Sequence, residues 1–239
     1  MKTGSQAGTL AHQQVLATVI EQVHRRLPVP GVAGARRRPL REYAAVNPPP
    51  VFFTPTPWSL VPHAASPWRP AFTLSVALTP DRCAGLRLDY ALTGDLANLR
   101  LPAPMPPGPA DGLWRHTCFE AFVGGQDGGA YREFNFSPSG QWADYRFAAR
   151  RTPDAAPDPS VLIPEVLWRS NPGHLRLCAR LPASVLQPAG TWRVGLSAVL
   201  EHQDGRLSYW ALAHPGIHPD FHDPAGWRPL PAAPDISSP

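Results

Sequence analysis

At 239 residues and 26.0 kDa the chain is long enough for one well-buried core, and a second complete domain would have to be small. A hydrophobic content of 43% with 8 Trp, 9 Phe and 5 Tyr excludes disorder throughout, and 32 prolines argue against long helices and unbroken central strands. The +4 net charge, 22 Lys and Arg against 18 Asp and Glu, is scattered apart from Arg36-Arg37-Arg38 and Arg41, so the massed cationic face that nucleic acid requires is not expected.

Residues 12–27 (HQQVLATVIEQVHRRL) place Leu16, Val19, Ile20, Val23 and Leu27 on one helical stripe, with Thr9 as a cap and Pro28 and Pro30 as a stop. A Gly-, Ala-, Arg- and Pro-rich linker follows to residue 50, so residues 1–50 read as an N-terminal helical extension and 51–239 as the main domain. The apolar run at 15–20 is too short for a secretory signal or a membrane span; a cytoplasmic location and no membrane partner are expected.

From residue 51 the pattern changes to short runs of period two. GLRLDYAL alternates Leu86, Leu88, Tyr90 and Leu92 with polar or small neighbours, and HLRLCARL repeats the design with Leu175, Leu177, Ala179 and Leu181. Further strands are expected at 72–78, 116–123, 131–137, 141–147, 162–169, 192–200 and 207–212. Nine short strands separated by turn signals indicate a mainly β, antiparallel sandwich or barrel. In YREFNFSPSGQWADYRF the Ser137-Pro138-Ser139-Gly140 turn predicts a hairpin. Cys83, Cys118 and Cys178 have no CxxC spacing and read as reduced, buried thiols.

In LWRHTCFEAFV, alternation separates Thr117, Phe119, Ala121 and Val123 from Trp114, His116, Cys118, Glu120 and Phe122, and either set can face inward. With the second set on a cleft, Trp114 offers an apolar platform and Glu120 accepts hydrogen bonds from hydroxyls, the pairing that a sugar-like ligand requires. The alternative is a Trp filling the sandwich edge and a Glu paired with an arginine. Glu133, Asn135 and Asp144 extend the polar set, and two close carboxylates across the hairpin, Glu133 and Asp144, would serve a carbohydrate hydrolase, although surface ion pairing is the commoner explanation for such a set. His214, His218 and His222 are spaced by four, but Pro215 and Pro219 break any helix that would turn them into a metal face; as a loop they could still wrap a metal or offer an imidazole to haem. There is no phosphate loop, GxSxG elbow or HExxH element.

The series SLVPHAASP, LRLDYALTGDLANLRLP, DGLWRHTCFEAFVGG, YREFNFSPSGQWADYRF and SYWALAHPGIHPDFHDPAGW, spanning about residues 58–228, resembles the bacterial DOMON-like proteins related to family 9 carbohydrate-binding modules. The resemblance implies a jelly-roll-like β-sandwich and a non-catalytic binding function, for a carbohydrate or similar polyhydroxylated ligand or, in other DOMON branches, for haem. It implies that Trp114 and Trp210 stack on a sugar while Glu120, Arg132 and Asn135 hydrogen-bond to it. His116-Thr117 departs from the acidic residues of many sugar-binding relatives. For haem, Met105 with His116 or His214 would supply the axial ligands. The expected partner is a glycan or small molecule.

Overall fold

The computed structural model describes residues 57–66, 72–81, 85–156, 162–186 and 191–230, all within one compact unit, Thr54–Pro239. The expected helix at 12–27, its linker and Cys83 lie outside the described residues.

The fold is mainly β. Its strands are β1 (Trp58–Pro62), β2 (Thr73–Asp81), β3 (Gly85–Thr93), β4 (Gly108–Pro109), β5 (Cys118–Gly125), β6 (Tyr131–Phe136), β7 (Gln141–Ala149), β8 (Thr152–Pro153), β9 (Glu165–Asn171), β10 (His174–Leu181), β11 (Trp192–Glu201), β12 (Leu207–Ala211) and β13 (Arg228–Pro229). Each of the nine runs expected from alternation contains or overlaps one of these strands; β1 was not among them. Helical turns among the described residues are 3-10 and three or four residues long, as the proline content dictates.

The strands run β4-β7-β6-β5-β11-β12-β1-β2-β3-β10-β9, with β13 added to β11 and β8 to β7. All pairings are antiparallel except β4 with β7. The two-sheet expectation meets a difference here: β1 hydrogen-bonds to β12 on one side and β2 on the other, so a single sheet curls upon itself. Its two halves share one core, in which Leu74, Val76, Leu88 and Tyr90 from one half meet Phe119, Phe134, Leu196 and Trp210 from the other. The Tyr90 hydroxyl donates to the Glu120 carbonyl oxygen at 2.8 Å, and its ring lies 5.1 Å from that of Phe119. The period-two leucines account for this layer: Leu86, Leu88, Tyr90 and Leu92 stand opposite Leu181, Ala179, Leu177 and Leu175, rung by rung. Each buried leucine contributes about 1.5–3 kcal/mol.

The hairpin at 131–149 turns where expected. Gly140 takes φ +93°, which a side chain would resist, and its N–H donates to the Ser137 carbonyl at 3.0 Å.

Candidate functional site

β5 lies between β6 and β11, and both of its faces are buried. Phe119, Ala121 and Val123 enter the core, while Cys118, Glu120 and Phe122 point to the outer side and are nevertheless covered. Part of the cover is a strap, residues 212–227. Trp227 lies so close to β11 that a Cβ on Gly195 would stand 2.5 Å from its indole, and one on Gly124 would stand 3.0 Å away. Glycine inside a strand marks this kind of close approach. Trp227 then packs with Phe122, Tyr131 and Phe147 in a second, smaller apolar cluster.

Beside that cluster sits a buried polar group. Register places Glu120 opposite Asn135 on β6 and Ser197 on β11, and Glu133 one rung further along. Ser197 Oγ donates to Glu120 Oε2 at 3.1 Å, Asn135 Nδ2 donates to Glu133 Oε1 at 2.7 Å, and Cys118 Sγ donates to Asn135 Oδ1 at 3.4 Å. Glu120 is 2% exposed and Asn135 fully buried. Burial, then the neighbouring Glu133 charge, pushes the Glu120 carboxyl well above the usual carboxylate range, and burial raises Glu133 to about 7 against the pull of the Asn135 hydrogen bond. Two like charges so close in a poorly solvated site do not both form. At neutral pH the pair therefore retains a proton and offers a hydrogen-bond donor as well as acceptors. Glu120 Oε1 accepts nothing from a described residue, and it is not among the sealed side-chain atoms that lack a hydrogen bond. The free Glu120 oxygen thus borders accessible space.

His222 on the strap closes one side. The Tyr131 hydroxyl accepts from the Arg151 N–H at 3.1 Å and shares a hydrogen bond with His222 Nδ1 at 2.7 Å, while His222 Nε2 lies 3.6 Å from Glu133 Oε2. Burial pushes His222 down to about 3, keeping it neutral. Asp220 ties the strap down by ion pairs to Arg150 and Arg151.

Trp114 forms the opposite rim. It stands on the 3-10 turn Leu113–Arg115, entered through Gly112 at φ +72°. The half-buried ring lies edge-on to Tyr145 at 5.7 Å, and Tyr145 is the cross-strand neighbour of Glu133. The Tyr145 hydroxyl donates to Asp111, which latches this segment to β7.

Of the residues singled out from sequence, Trp114, Glu120 and Asn135 lie on this outer side. Trp210 does not: it pairs with Ala198 on the inner face, is 3% exposed within the main core, and donates from Nε1 to Ser208 Oγ at 3.1 Å. The two-tryptophan clamp is therefore not formed. Arg132 has the inner parity as well, and its guanidinium forks onto Asp144. Asp144 stands opposite Phe134 and Glu133 opposite Tyr145, so these carboxylates occupy different faces; the close pair is Glu120 with Glu133. His116 donates to Glu201 at 2.7 Å, His214 donates to the Val61 carbonyl at 2.9 Å, and His218 and Met105 are exposed. The histidines of the strap do not converge, and among the described residues no three His, Cys, Asp or Glu side chains form a metal site. Cys118 is a free, buried thiol and Cys178 a half-buried one. The reading from sequence missed Ser197, Tyr145 and the strap residues Phe221 and Trp227; Gly124 and Gly195 inside strand runs were the signal available for the strap.

No family model matches the chain, and no curated protein matches it. Among solved structures it is similar to the crystal structure of a "putative carbohydrate-binding protein" from Bacteroides uniformis, with a TM-score of 0.53 and 18% sequence identity over 73% of this chain and 84% of that one. At that identity the likeness establishes a shared fold.

Proposed function

We propose that this chain is a non-catalytic binding protein for a carbohydrate or similar polyhydroxylated ligand, a DOMON-like relative of family 9 carbohydrate-binding modules with a jelly-roll-like sandwich. The observation that carries the reading is the free oxygen of Glu120, set among Asn135, Glu133 and Ser197 on the same outer side of the sheet that carries Tyr145, the cross-strand neighbour of Glu133, and the Trp114 ring packed on it. A sugar hydroxyl both donates and accepts, and the proton-sharing carboxyl pair does the same; the rings supply the apolar platform for the C–H face. The fold shared with a protein described as carbohydrate-binding supports the same reading. Trp210 and Arg132 have no part in it.

Glycan-array screening followed by calorimetry on the best ligand tests the proposal. Trp114→Ala and Glu120→Gln are each expected to weaken binding roughly tenfold or more, and a panel of chromogenic glycosides is expected to show no turnover. The Glu120 and Glu133 pair also has the composition of an acid–base couple. Turnover that disappears in Glu120→Gln and Glu133→Gln would replace the binding reading with a hydrolase. A Soret band in protein purified with haem supplied, without glycan binding, would replace it with a haem protein.

A further inference from the structure

The outer face of the other half of the sheet carries a second arrangement with its own chemistry. Arg169 on β9 stands directly opposite Arg176 on β10, and Arg176 is flanked on its other side by Ala91 on β3 and, beyond it, Ser75 on β2. Two cations in direct cross-strand register repel one another. Other arginines on this face are matched: Arg87 forks onto Asp89 at 2.7 and 2.9 Å, and Arg180 meets Glu165 at 3.1 Å. Arg169 and Arg176 have no carboxylate, carbonyl or ring partner among the described residues.

The rung nearer the turn adds donors. Asn171 stands opposite His174, and its Oδ1 is already taken by the N–H groups of Gly173 and His174 at 3.0 and 2.9 Å, which leaves its amide NH₂ to donate outward. Arg169, Ser170, Asn171, His174 and Arg176 line one hollow of about 500 Å³, and none of the described residues in its wall is a carboxylate. Small residues at Ala91 and Ser75 keep the adjoining floor low. A guanidinium presents a planar fork that matches two oxygens of an oxyanion, and two arginines on neighbouring strands of one hollow supply two such forks to a doubly charged group.

We propose that this hollow binds a tetrahedral oxyanion, a phosphate or sulfate group, with Arg169 and Arg176 as its two clamps and Asn171 and His174 as supporting donors. The volume exceeds that of the bare ion and leaves room for a small alcohol that the ion esterifies, such as a monosaccharide. The site is separate from the Glu120 face, so either reading can fail without the other.

Calorimetry at low ionic strength with inorganic phosphate, inorganic sulfate and glucose 6-phosphate decides the matter. The full chain is expected to bind at one site, and Arg169→Gln and Arg176→Gln are each expected to weaken binding roughly tenfold, while Arg180→Gln, on the same face, changes it by less than about twofold. Tighter binding of the ester than of the ion identifies an esterified ligand; equal binding identifies the free ion. Thermal unfolding in anion-free buffer controls for folding, since losing one of two like charges leaves the midpoint unchanged or raises it. The absence of saturable binding, affinity unaltered in both variants, or an equal loss in Arg180→Gln would overturn the proposal.

Discussion

β5 and β10 are both eight-residue strands of the same curled sheet, and their outer faces differ. β10 alternates exposed or half-exposed positions with buried ones, so its outer side is open and its charges there meet water and one another. β5 is buried at all but its last position, and its outer side carries Glu120 beneath a covering strap. An antiparallel strand ordinarily buries one face. When the second face is also buried and polar, the chain has spent residues 212–227 on enclosing it. That enclosure turns Glu120, Glu133 and Asn135 from solvated groups into a site.

Removing the cover gives the largest expected effect. Trp227 is 7% exposed and seated on Gly195 and Gly124, and its Nε1–H donates to the Phe221 carbonyl at 2.9 Å. Trp227→Ala is expected to cost about 3–5 kcal/mol in urea unfolding, whereas Arg176→Ala on the open face is expected to stay within about 0.5 kcal/mol. Equal costs would mean that the strap is not anchored on β11.

The enclosed carboxyls give the next effect, through pH. Glu133 is raised from its ordinary 4.5 to about 7, and Glu120 is shifted the same way. A carboxyl bound more tightly to its proton when folded stabilises fully below 4.5 and loses that contribution as pH rises through about 7. His222, lowered from 6.5 to about 3, works in the other direction: its contribution is lost as pH falls from 6.5 toward 3. Stability is therefore expected to peak between about 4.5 and 6.5 and to fall by roughly 1–3 kcal/mol toward pH 8. Glu133→Gln should flatten the alkaline limb in urea titrations across pH. A profile that stays flat in the wild-type chain would mean that this pair is solvated like the charges on β10.

The seam between the halves gives a smaller effect. Tyr90→Phe removes the hydroxyl that reaches from β3 to the buried Glu120 carbonyl and is expected to cost about 1 kcal/mol in thermal or urea unfolding.

The open half was the more legible half. GLRLDYAL and HLRLCARL show strict alternation because only one of their faces is buried, and their apolar positions pair rung to rung. The hairpin was legible from its turn. β1 was not, because five residues ending in a proline carry little period, although this strand joins the halves. On the enclosed side, alternation loses its meaning. In SYWAL either parity is apolar, so alternation does not test the ligand role that the family resemblance implies for Trp210; its pairing with Ala198 sends it inward. The same ambiguity in CFEAFV left Glu120 open between a site and a surface ion pair. Its partner turns out to be Ser197, 77 residues away, which local pattern does not reveal.

The smallest expected effect tests whether the second face is open at all. Arg87 and Asp89 form a two-armed ion pair there with side-chain exposures of 43% and 38%. At that exposure water screens the pair and the ordering of two side chains offsets much of the attraction, so a double-mutant cycle with Arg87→Gln and Asp89→Asn is expected to return a coupling of about 1 kcal/mol or less, shrinking in high salt. A coupling several times larger and insensitive to salt would place this face in a poorly solvated setting like that of Glu120. The repulsion between Arg169 and Arg176 would then be too large for the pair to stand without a bound anion, and the hollow they line would be a permanently filled site instead of one open to exchange.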